Sequence, residues 1–121
     1  TRLPDTHLMH AERYNLMRQW SAFHQEYPIL LSPTWARRAF APGADLDPDT
    51  AVEMMTDTIR PVVPSNLLGT PAVVTPAGVV DGLPVGVQVM GDRFTDLRCL
   101  TIAAEIESLV GTITPIDPIT T

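Results

Sequence analysis

The sequence predicts an α/β protein in which β-strands are flanked by helices. Three observations carry that prediction. Apolar residues recur with the helical period near both ends of the chain, at Met9, Leu16, Trp20, Phe23 and Tyr27 and again at Cys99, Ile102, Ala103, Ile106 and Val110. Between them lie β-branched runs at 72–75 and 85–90, separated by the turn pair Asp81-Gly82. The composition, 45% hydrophobic and 18% charged, is that of a chain that buries a core rather than one that stays unfolded.

Taken in order, Asp5 to Tyr27 is expected to be an amphipathic helix, ended by Pro28, which disfavours helical geometry at the residue before it. Ile29, Leu30 and Leu31 are too short a run for a helix and fit a buried strand before Ser32-Pro33. Thr34 to Asp49, with Pro42, Gly43 and Pro48, has no hydrophobic period and predicts a long loop. A short helix is expected over Ala51–Ile59, capped by Asp49 or Thr50, with Val52, Met55 and Ile59 on one side and Pro61 and Pro64 ending it. Ala72–Thr75 predicts a strand. Val85–Met90 predicts a second one buried on both faces, because valines alternate with Gly86, Gln88 and Met90; that implies a sheet covered on both sides. Thr95 to Val110 is the clearest helix, with Thr95 as its cap and Gly111 as its end. Thr112–Thr121, with Pro115 and Pro118, predicts an extended strap.

At 121 residues the chain has the size of one domain. A net charge of −6 argues against a surface that follows nucleic-acid phosphates. No run approaches the roughly 20 apolar residues that cross a bilayer, and the start of the chain lacks a signal-peptide pattern, so a cytoplasmic protein without a membrane partner is expected. The single cysteine forms no internal disulfide. All eight basic residues are arginines; lysine does not occur.

Several residues invite chemistry and have plainer explanations. His7 and His10 are three apart on a helix, but no acid or thiol has the spacing to complete a metal site. Asp45, Asp47 and Asp49 copy the first ligands of a calcium loop, yet Thr50 stands where that loop needs glycine and Thr56 where it needs glutamate. Cys99 lies inside an apolar stripe with no histidine near it, which suits a core residue better than a nucleophile. None of the four serines sits in a nucleophile elbow. The expectation is therefore no catalytic residue, no metal and no cofactor on this chain.

The segment from Pro64 to Gly91, PSNLLGTPAVVTPAGVVDGLPVGVQVMG, resembles the C-terminal segment of the amidase-signature family. The family pattern appears as Asn66, Leu67, Gly69, Pro71 and Ala72, then Pro76 and Gly78, then Gly82, Leu83, Pro84, Gly86 and Gln88. Flanking pieces agree: Ile29 to Thr34 is similar to a leucine-rich strand ending in Pro-Thr, Phe94 to Glu107 to the last helix, and Thr114 to Pro118 to the terminal strap. The resemblance covers nearly the whole chain and is strongest from Asn66 onward.

It implies that residues 1–121 are the C-terminal portion of an amidase domain, with the mixed sheet of that fold. A chain opening on Thr1 instead of methionine is expected to be truncated. It further implies hydrolysis of carboxylic amides by a serine, cis-serine and lysine triad that lies upstream. With no lysine and no Gly-Ser-Ser run, the chain alone is expected to be inactive. Leu30, Thr34, Trp35 and Val85 are implied as walls of the substrate pocket, against a plain packing role for each. The implied partners are the N-terminal part of the same amidase and a small amide. Alternatives are a stand-alone binding module, for which a homodimer would cover its apolar face, or a piece of the larger chain of a tRNA-dependent amidotransferase, its A subunit.

Overall fold

The structure, a computed structural model, describes residues 3–111. The strap expected at 112–121 lies outside them. Helix α1 (Leu3–Glu26) leads into β1 (Leu30–Pro33), followed by a loop with one 3-10 turn at Ala44–Leu46. Then come α2 (Ala51–Ile59), α3 (Val63–Leu68), the hairpin of β2 (Ala72–Val80) and β3 (Leu83–Met90), and α4 (Asp96–Val110).

The sheet has the order β1-β3-β2, with both pairings antiparallel. The mixed strand directions expected of the whole fold are not found among these three strands. Asp81 and Gly82 form the hairpin turn, with φ of 51° and 77°. Two positive φ values suit the right-handed twist of the flanking strands, which is why Asp-Gly stands there. Strand β2 runs past Pro76, farther than its β-branched core predicts. A bulge between Pro76 and Gly78, on an edge strand, absorbs a residue that cannot donate to the ladder.

Strand β3 is buried on both faces only over its last three residues, Gln88, Val89 and Met90. On one face Val89 packs with Cys99 and Ala103 of α4, joined by Val73, Ile102 and Ile106, as the helical stripe predicts. The other face lies towards α1 and α3. There Gln88 donates from Nε2 to the Pro61 carbonyl at 3.1 Å and ties β3 to the α2–α3 junction.

Three expectations are corrected. Pro64 does not end helical structure but sits in the first turn of α3, where a missing N–H costs nothing. Gly69, with φ 67°, closes that helix by donating its N–H to the Ser65 carbonyl. Helix α2 buries Thr58 completely and leaves Val52 79% exposed, so its inner face is not the one led by Val52. Thr95 holds the position before α4, but its hydroxyl donates backward to the Asp92 carbonyl at 2.6 Å rather than capping the helix.

Candidate functional site

Thr34, Trp35 and Val85 line one cavity of about 380 Å³, together with Pro33, Pro84 and Gly86 and with the loop residues Ala36, Arg37, Arg38 and Ala39. The strand ends build it. Thr34 continues the register of β1, and its N–H donates to the Gly86 carbonyl at 3.1 Å. Its side chain lies over Gly86, where a Cβ would come within 2.9 Å of Thr34 Oγ1. Glycine at 86 therefore lets β1 and its following loop close over β3.

The loop is held from two more sides. The Ala36 N–H donates to the carbonyl of Thr58, whose own hydroxyl donates to the Met54 carbonyl at 2.7 Å. Arg37 pairs with Asp57 at 3.0 Å, and Arg60 pairs with the other oxygen of that carboxylate at 2.5 Å. Arg38 pairs with Asp81 in the hairpin turn. These pairs are solvated and individually weak, but together they fix the loop against both α2 and the hairpin. Trp35 and Phe40 stack nearly parallel, with ring centroids 5.9 Å apart and planes 8° from one another.

Leu30 is not part of this cavity. It pairs with Met90 at the far end of β3 and lines a separate apolar groove of about 430 Å³ with Leu16, Trp20, Phe23, Val63, Leu67 and Leu68 from α1 and α3. The four residues implied as pocket walls thus divide three to one.

Ser21, His24 and Asp92 have the residue types of a hydrolase triad, but the Ser21 hydroxyl donates to Asp92, at 2.6 and 2.8 Å to its two oxygens, and not to His24. The buried His24 instead places Nδ1 2.9 Å from the Tyr27 carbonyl. The serine therefore has a carboxylate, not an imidazole, as its acceptor. Burial pushes the Asp92 carboxyl upward, but the Ser21 hydroxyl and the Arg93 backbone N–H outweigh it and hold the acid below its ordinary range. Burial pushes the Cys99 thiol upward, which leaves it protonated and unreactive. Among the described residues no group of three or more His, Cys, Asp or Glu is placed to hold a metal. Asp47 accepts from the Asp49 N–H at 2.9 Å, the closed turn of a solvated loop. No described helix is long and apolar enough to cross a membrane.

Arg37, Arg38 and Phe40 are not signalled by any hydrophobic period, because they lie on an irregular loop whose partners are distant in sequence.

A family model for amidases matches residues 5–100. An indoleacetamide hydrolase of Bradyrhizobium japonicum is 35% identical over 102 residues, which cover 84% of this chain and 22% of that protein. The A subunit of a glutamyl-tRNA(Gln) amidotransferase from Salinispora tropica is 38% identical over 100 residues, covering 83% of this chain and 20% of that one. The crystal structure of the same kind of amidotransferase chain from Thermotoga maritima superposes with a TM-score of 0.67 at 38% identity, over 81% of this chain and 21% of that chain. The chain spans about a fifth of the length of these relatives.

Proposed function

The chain belongs to the amidase family, and on that premise we propose that it is the C-terminal portion of an enzyme that hydrolyses carboxylic amides, supplying scaffold and one wall of the substrate pocket but none of the reacting groups. The carrying observation is that Thr34, Trp35 and Val85 meet around one cavity that the motif glycine Gly86 also lines, while the chain contains no lysine. In this reading the lysine and a bridging cis-serine, both upstream, take the proton from a nucleophilic serine. An acyl-enzyme forms as the amine departs, and water releases the acid. The present residues hold the acyl part of the substrate where that serine can reach its carbonyl.

Exposed apolar side chains support a larger assembly. Leu8, Leu97 and Leu109 are 70%, 80% and 85% exposed, which suits faces covered by the N-terminal part of the same enzyme. A homodimer of a stand-alone module is the competing cover. A cytoplasmic location fits a buried, unpaired cysteine.

Val85→Trp, introduced in the complete gene product, would fill the cavity. The expected result is a fall of about tenfold or more in kcat/KM for amides with bulky acyl groups. Unchanged kinetics for every amide would remove this cavity from the substrate site.

A second reading, part of an amidotransferase, is favoured by the 38% identity to chains of that name. It expects the complete gene product to leave small aliphatic and aromatic amides intact.

A further inference from the structure

We propose that the wall formed by residues 34–40 selects amides carrying a planar aromatic ring, which stacks on Trp35; this rests on the reading of the cavity as a substrate pocket. Trp35 is 42% exposed and lines the cavity, whereas Phe40 does not. Phe40 lines a second hollow with Met54, which Trp35 does not reach. The stacked pair therefore stands between the two hollows, with the indole on the cavity side and the phenyl ring behind it. A ring that is already stacked on one face is held in orientation, so a second flat ring meets a preorganised platform rather than a mobile side chain.

The rest of the cavity agrees with a flat, neutral guest. Pro33, Pro84 and Val85 offer rigid apolar surface, and Gly86 adds no side chain of its own beneath the Thr34 hydroxyl. The two arginines at the wall each face an acid, Arg37 paired with Asp57 and Arg38 with Asp81, so their charge beside the cavity is offset. Those same pairs, with the Thr34 and Ala36 backbone bonds to Gly86 and Thr58, set the angle at which Trp35 faces the cavity. The geometry thus favours aryl over alkyl acyl groups of equal size.

Phenylacetamide and cyclohexylacetamide test this, since they differ in ring planarity and aromaticity and little in size. With the complete gene product, the ratio of their kcat/KM values is expected to favour the aryl amide by about tenfold, as one added aromatic stack implies. Trp35→Leu should bring the ratio close to one, Trp35→Phe should restore most of it, and Asp49→Ala, in the solvated loop before α2, should leave it unchanged. A ratio near one in the unsubstituted protein, or Trp35→Leu lowering both substrates equally, would overturn the aromatic platform while leaving amide hydrolysis intact. If no amide is turned over, the hydrolytic reading fails by itself, and saturation-transfer NMR of phenylacetamide decides the platform: ring-proton signals lost in Trp35→Leu support it, and equal signals in both proteins overturn it.

Discussion

Gln88→Glu is expected to be nearly silent near pH 4 and to lose about 1.4 kcal/mol of stability for each pH unit above it. Gln88 is 2% exposed, and its amide nitrogen donates to the Pro61 carbonyl at 3.1 Å. Ser32 Oγ at 3.4 Å and Met90 Sδ at 3.2 Å complete its surroundings. A carboxyl at this place can replace the donated hydrogen only while protonated, and burial without a cation raises its pKa in the folded state. Below an unfolded pKa of about 4.3 both states carry the proton and the substitution costs little. Above it the unfolded state releases the proton and the folded state does not, so stability falls with rising pH until the folded carboxyl also ionises. Gln88→Leu is the control: it leaves the Pro61 carbonyl unpaired at a cost of about 1–3 kcal/mol that does not change with pH. Denaturant midpoints of both variants at pH 5, 6 and 7 measure the difference. Parallel values for the two would mean that Gln88 does not hold β3 to the α2–α3 junction through that donated hydrogen.

Gly91→Ala is expected to destabilise by about 1–3 kcal/mol, the usual penalty for overpacking. Gly91 is buried where β3 passes under the start of α4, and an added Cβ would collide with Thr95 Oγ1 and lie 2.8 Å from Cys99 Sγ. Neither neighbour can move freely. Thr95 is bonded to the Asp92 carbonyl, and Cys99 is fully buried beside Val89. Combining Gly91→Ala with Thr95→Ala removes the nearer obstacle, so the two substitutions should be coupled by about 0.5–3 kcal/mol rather than additive. Thermal unfolding of the single and double variants reads this directly, and strict additivity would show that α4 can shift away from the strand.

Much of the fold is legible in the sequence because local chemistry and tertiary packing agree. The Asp81-Gly82 turn needs two positive φ values that this pair readily adopts, and the stripe through Cys99 and Ala103 meets Val89 as its period predicts. Helix α3 is not legible, because Pro61 and Pro64 read as breakers when the second of them stands in a first helical turn. The buried side of α2 escapes its period for a different reason. Loop 34–40 and Asp57 dictate which face turns inward, and Thr58 is chosen over Val52 by its place beneath the Ala36 N–H. The candidate site is legible only through resemblance to a family. No periodicity brings Thr34 beside Val85; a backbone bond to the distant Gly86 does. Leu30 lies on β1, which leads into Thr34, and the resemblance groups it with Thr34 and Val85, yet the register places it opposite Met90, four residues along β3 from Gly86. The roles of Gln88 and Gly91 are likewise tertiary, since each is defined by what packs on it.

The most direct test of the account is ammonia release from a panel of aliphatic and aromatic primary amides by the 121-residue chain beside the complete gene product that carries it. Turnover is expected from the complete protein and none from the chain alone, since in the proposed reading the chain lines a pocket and holds no lysine for the triad. Turnover by the chain alone would contradict it and would require a catalytic site made without lysine.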